Sequence, residues 1–254
     1  MAEQGDVINI REFDIQDFPM SATVFIIGPP GSGKTTFIEN VMYYNKHKYP
    51  VGRAFIGTET AYERFKDIMG PLYVSNKYNQ QELHQEIVRQ KTCITENGRG
   101  YFGNYSILMM DDIADDSKIF RHPEIRGLFK NGSQHWHQLV LFGNQYAIDV
   151  PPDVRKSVSY VVIFREPEPN ERRKLYDNFG GSVGSFEVFC YLLDQIVEQF
   201  HCLVIQKRSQ SNKLEENVFY YKTKQITKKW KFGCNEMKEW EKERYNKDYQ
   251  EKFV

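Results

Sequence analysis

The segment "VFIIGPPGSGKTTF", Val24 to Phe37, restricts the possible folds of this chain more than any other feature. Four apolar residues run into a glycine-rich loop that fits G-x-x-x-x-G-K-[ST] at Gly28, Gly33, Lys34 and Thr35. A strand, this loop and a helix form one mechanical unit. The glycines let backbone N–H groups turn inward around a phosphate, and the helix N-terminus adds its dipole. The sequence therefore predicts a phosphate cradle over Gly28, Pro29, Pro30, Gly31, Ser32, Gly33, Lys34, Thr35 and Thr36. Lys34 is expected to reach the β- and γ-phosphates of ATP, and Thr35 to hold Mg²⁺.

Around this unit, apolar runs alternate with helical patterns. "RAFIG", "YSILMMDD", "HQLVLFGNQ", "SYVVIF", "HCLVIQKR" and "ENVFYYKTK" read as strands. "TAYERFKDI" reads as a helix stopped by Gly70-Pro71, and "NQQELHQEIVRQKT" as one with Leu83, Ile87 and Val88 on its apolar side. "PEIRGLFKNG" reads as a short helix with Gly132 beyond its end. The N-terminal "VINIREFDI" could add an edge strand or lead into the core. The expected fold is α/β, a P-loop NTPase of the additional-strand, RecA-like type, with a mostly parallel central sheet flanked by helices. Residues 1–235 are expected to form one ATPase domain, and 236–254 a charged tail that is a solvated or frayed helix.

The second half of the site is expected at the end of "ILMMDD". Asp111 is the candidate for the Mg²⁺ shell, and Asp112 for polarising the attacking water. The alternative for Asp112 is a cap on the following segment. Asp115 and Asp116 read as turn caps. In additional-strand ATPases a polar residue ends the strand between the P-loop strand and the acidic strand. Gln145 fits that place and would sense the γ-phosphate and the water, although a plain polar strand end is the competing reading. Arg155, in "VPPDVRKS", and Arg126, in "EIRGLF", are candidates for an arginine delivered to a neighbouring subunit's site.

Composition narrows the partners. Lys plus Arg and Asp plus Glu number 34 each, so bulk charge does not draw this chain onto nucleic acid. A local basic patch remains open, and "KTKQITKKWK" (Lys222 to Lys231) and "SNKYN" around Lys77 are the candidates. None of the four cysteines forms a C-x-x-C pair, so zinc has no support, and reduced thiols are the simpler reading. "HWH" at His135 to His137 lacks a third ligand at a recognised spacing. No apolar run approaches the ~20 residues of a membrane span.

The order of these pieces resembles the FtsK–HerA-type genome-packaging ATPases, in the poxvirus-type branch shared by nucleocytoplasmic large DNA viruses and virophages. The matching segments are "GPPGSGKTTF", "ILMMDDIAD", "RGLFKNGSQHW", "LVLFGNQYAIDVPPDVRKSVSYVVIF" and "PEPNERRKLYDNFGG", spanning about Val24 to Gly181. The resemblance implies a ring-forming motor that drives double-stranded DNA into a preformed viral capsid, at its packaging vertex, using ATP. It implies catalytic roles for Lys34, Asp112, Gln145 and Arg155 and a Mg²⁺ site at Thr35 and Asp111. It places the chain in viral factories of the host cytoplasm, with the virion as a further location. One departure is "GSQH" at Gly132 to His135, where family members often read "GRH". If that family arginine serves a neighbour, Arg155 or Arg126 must replace it here. The rival readings are a translocase or helicase serving replication, and a P-loop small-molecule kinase. A kinase has no evident use for Asp112 and Gln145 together.

Overall fold

The computed structural model describes residues 10–113, 117–145, 150–196, 200–246 and 248. Asp115 and Asp116, read above as turn caps, lie outside them, as does most of the "VINI" stretch.

The strands are β1 (Arg11–Glu12), β2 (Ala22–Ile27), β3 (Val51–Ile56), β4 (Val74–Ser75), β5 (Ser106–Asp111), β6 (Gln138–Asn144), β7 (Tyr160–Phe164), β8 (His201–Gln206) and β9 (Val218–Lys222). They form one sheet in the order β1-β9-β8-β7-β2-β6-β5-β3-β4. All pairings are parallel except β7 with β8 and β8 with β9. β6 lies between β2 and β5, which is the inserted strand expected from "LVLFGNQ". Both readings of the N-terminal stretch apply: Arg11 and Glu12 pair with Phe219 and Tyr220 at the sheet edge, and Phe13, Ile15 and Phe18 enter the core.

Every residue of β2, β5 and β6 is buried. Continuous apolar runs of this kind follow from helices covering both faces of a parallel sheet. The helices are α1 (Lys34–Asn45), α2 (Glu59–Met69), α3 (Gln80–Asn97), α4 (Pro123–Gly127), α5 (Pro152–Ser157), α6 (Pro169–Phe179), α7 (Phe186–Gln195), α8 (Leu214–Asn217) and α9 (Asn235–Arg244). One core joins Val24 and Ile26 to Phe37 and Val41 of α1 and to Phe65 and Ile68 of α2. The other joins Phe25 and Ile27 to Ile125, Val154, Leu175 and Phe189 of α4 to α7. In it Phe25 stacks on Phe142 at 5.3 Å between ring centres, locking β2 to β6 next to the site.

Three local expectations change. Val88 is 46% exposed, and Gln90 takes its place on the buried face of α3. The spacing of 83, 87 and 90 follows one helical face, and Val88 lies about 100° beyond Ile87. Gln90 is tolerated inside because its amide donates to the carbonyls of Asn104 and Trp136, each at 2.8 Å. Gly132 does not lie beyond the helix of "PEIRGLFKNG"; that helix widens into a π-turn over Leu128–Gly132. The charged tail is not wholly solvated. α9 docks through Met237, which is buried in the core of α1 and α2, while the Tyr73 hydroxyl donates to the Met237 carbonyl at 2.8 Å.

Candidate active site

The parallel strands all end on one side of the molecule, and that is where the site forms. β2 runs into the loop 28–33, which feeds directly into α1. Gly33 has a φ of 111°, a left-handed conformation that a side chain would strain, and it allows the turn from loop to helix. Lys34 opens α1 and is buried. Its Nζ donates to the carbonyls of Gly28 (2.8 Å) and Pro29 (3.3 Å), so the ammonium is held inside the loop's own curve.

The Thr35 hydroxyl donates to Asp111 Oδ2 at 2.9 Å. This bond ties the start of α1 to the end of β5, across the intervening β6. The close approach needs Gly143 on β6, because a Cβ there would overlap Asp111 Oδ1. Burial pushes the Asp111 carboxyl up to about 6, the Asp112 charge adds to the rise, and the Thr35 bond and Lys34 oppose it. The other oxygen of Asp111, Oδ1, is buried without a hydrogen-bond partner. A buried carboxylate with a lone oxygen beside a hydroxyl is a hard-oxygen donor set, which suits a small divalent cation such as Mg²⁺.

Asp112 adopts a φ of 51°, uncommon for a non-glycine residue. Its backbone N–H donates to the Gly143 carbonyl at 3.1 Å. Gln145, one residue past β6, donates from Nε2 to Asp112 Oδ2 at 3.1 Å. Asp112 Oδ1 is also buried and unpartnered. The acid and the amide both line one cavity of about 260 Å³. Its lining includes Gly31, Lys34, Thr35, Thr36, Asp112 and Gln145.

The two arginine candidates lie elsewhere. α5 precedes β7, and Ser159 next to it pairs with Thr23 near the start of β2. Arg155 is therefore at the opposite end of the sheet, roughly 20 Å away along a six-residue strand. Its guanidinium donates to Asn178 Oδ1, and its carbonyl accepts from Lys207 Nζ at 3.1 Å. Arg126 forms an ion pair with Asp153, which Lys130 also approaches at 3.0 Å. These two cations hold the exposed Asp153 carboxyl well below the usual range, at about 2. Neither arginine lines the cavity of its own chain.

The basic run 222–231 is partly built into the fold. Asn40 of α1 clamps the backbone of Lys224 through two bonds of 2.7 Å, Trp230 donates to Glu39 at 3.3 Å, and Lys231 reaches the Asp67 carbonyl. Lys228 and Lys229 are exposed on this strap.

Sequence reasoning missed two cavity residues, Thr58 and Phe200. Thr58 has the position of a helix cap but makes no side-chain bond to α2, so its hydroxyl is left to the cavity. Phe200 has no sequence signal; only the antiparallel turn into β8 brings it to this end of the sheet.

Comparison with known proteins places this geometry in context. The family model described as "Poxvirus A32 protein" matches residues 11–172. Protein 075L of Invertebrate iridescent virus 6 is 35% identical over 250 residues, covering 96% of this chain and 94% of that protein. Protein L437 of Acanthamoeba polyphaga mimivirus is 26% identical, covering 94% and 85%. Among solved structures, the genome packaging NTPase B204 of Sulfolobus turreted icosahedral virus 2, in complex with AMP, superposes with a TM-score of 0.59 at 18% identity. It covers 82% of this chain and 100% of B204. The cytoplasmic domain of the type VII secretion ATPase EccC from Thermomonospora curvata gives a TM-score of 0.55 at 13% identity, covering 85% of this chain and 27% of that one. At these identities the structural likeness concerns the fold.

Proposed function

Since the chain belongs to the family of the poxvirus A32 protein, we propose that it is an ATP-hydrolysing motor that moves double-stranded viral DNA into a preformed capsid. The observation that carries this reading is the pair Asp112–Gln145, joined at 3.1 Å in the cavity that the phosphate loop lines. Tight binding of a triphosphate needs the loop and Lys34 alone. A carboxylate and an amide placed past the γ-position add what hydrolysis needs, a group to take a proton from water and one to orient it. B204, of like fold, is a genome packaging NTPase, and it has been seen with AMP and AMPPCP bound.

In this reading the backbone N–H groups past the two prolines, from Gly31 onwards, and the α1 dipole bind the phosphates, and Lys34 turns its ammonium from the Gly28 and Pro29 carbonyls to the β- and γ-oxygens. Thr35 and Asp111 would hold Mg²⁺, whose chemistry there would be to neutralise charge on the phosphates. Asp112 polarises the attacking water, and Gln145 fixes its direction. An arginine from a neighbouring copy, Arg155 or Arg126, meets the charge on the departing phosphate. This role suits residues that face away from their own cavity, and it makes the working unit a ring. The partners are double-stranded DNA and the capsid with its packaging vertex. The site of action is the virus-infected cell, in cytoplasmic viral factories and with carriage into the virion.

ATP turnover measured with and without linear double-stranded DNA tests the reading. Stimulation is expected with any sequence and is lost as salt rises, because a genome motor grips phosphates. Neutralising Lys228, Lys229 and Lys231 together should make the log–log salt slope shallower by about 0.9 for each contact removed. An unchanged slope moves the grip to another surface, such as that near Lys77. Turnover indifferent to DNA at every salt concentration, in an oligomeric preparation, contradicts the motor.

A further inference from the structure

We infer that Phe200 is the platform on which the nucleotide's base stacks, which gives the site a base subsite on the β8 side of the phosphate loop. The inference rests on the nucleoside-triphosphate reading above and adds to it the direction in which the bound molecule lies. The sheet order separates the two ends of the ligand. β6 and β5, with Gln145, Asp112 and Asp111, lie on one side of β2; β7 and β8 lie on the other. β8 runs antiparallel, so its first residues are brought to the end of the sheet where the phosphate loop lies. With the γ-end of a triphosphate at Asp112 and Gln145, the sugar and base must leave across Gly33 and Thr36 towards Phe200. The Phe200 ring edge lies 3.2 Å from the position a Cβ would take on Gly33, and the residue lines the same cavity.

Two further features set Phe200 apart from an ordinary surface phenylalanine. It is 42% exposed, and its φ is 69°, left-handed backbone that a non-glycine residue adopts only where the surroundings impose it. The surroundings are specific. The Phe200 carbonyl accepts from both the N–H (3.0 Å) and the hydroxyl (3.1 Å) of the buried Thr223. The next residue, Lys224, is clamped front and back by Asn40 of α1 at 2.7 Å. The backbone of Phe200 is thereby tied, through Thr223 and Asn40, to the helix that follows the phosphate loop. A half-exposed aromatic ring on an anchored backbone, beside a phosphate site, binds a nucleobase by stacking, which accepts any base with a π-face.

The test compares the binding of ATP with that of inorganic tripolyphosphate, which carries the same phosphates and no base. Titration calorimetry with the full chain in Mg²⁺ suffices. Phe200→Ala should weaken ATP binding about 5- to 100-fold and leave tripolyphosphate binding unchanged, and Phe200→Trp should restore ATP binding. Equal loss for both ligands would show that Phe200 only shapes the loop through Gly33, and undiminished ATP binding would show that the base lies elsewhere; either result overturns the inference. A wild-type chain that binds neither ligand would instead bring down the nucleotide reading, and the base subsite with it.

Discussion

The Lys34→Ala chain is expected to fold, to bind ATP weakly and to show no measurable hydrolysis. The lysine is buried at the first position of α1, and its ammonium bonds the Gly28 and Pro29 carbonyls. Alanine is the best helix former, and Lys34 itself lines the cavity, so water can enter where the ammonium was and replace the lost donor; the fold should survive. Catalysis has no such substitute. Among the described residues Lys34 is the one lysine that lines the cavity, and the γ-phosphate gains charge as it departs. Loss of a positioned donor of this kind costs roughly 10²- to 10³-fold or more in turnover. Phosphate release and a thermal melt on the same preparation check both halves. Residual turnover above a tenth of wild type, in a folded chain, would remove Lys34 from the chemistry.

Asp112→Asn should retain nucleotide binding and lose about 10²-fold or more in kcat. Asparagine has the same shape, tolerates the left-handed backbone at 112 and can still pair with Gln145, so the substitution removes the base and little else. Gln145→Ala should also slow turnover. The double variant should be little slower than Asp112→Asn alone, because the two side chains act on one water. Single-turnover kinetics at saturating ATP separate this from a binding defect. Full activity in Asp112→Asn would leave Asp112 as a residue that shapes the turn after β5.

The parts of this site legible in the sequence are those set by covalent neighbourhood. The strand–loop–helix around Gly28 to Thr36 is contiguous, and the burial of β2, β5 and β6 follows from apolar runs that need no knowledge of their partners. Gln145 was legible because a polar residue ending a buried strand has few places to go. Gly143 carried a signal too: a glycine inside a buried strand marks a close approach, here the Asp111 carboxylate. Phe200 was not legible. Its position depends on β8 running against the other strands, and an aromatic residue before an apolar run otherwise reads as core. The exposure of Val88 turned on one step of helical phase, which a polar Gln90 on the true inner face disguised. The docking of α9 was hidden because one buried methionine among charged residues carries too little pattern. The arginines show a different limit: Arg155 and Arg126 could be named as cations near the right motifs, but their in-chain partners, Asn178 and Asp153, come from distant sequence.

The central claim is that ATP hydrolysis in this chain drives movement along double-stranded DNA. It is tested most directly by displacement of a third strand from a short triplex at the end of a linear duplex. The account predicts displacement by the wild-type chain with ATP and Mg²⁺, none with a non-hydrolysable analogue or with Asp112→Asn, and a duplex left intact throughout. Separation of the duplex itself would make the chain a helicase, and an undisturbed triplex in the presence of brisk DNA-stimulated ATP turnover would contradict translocation.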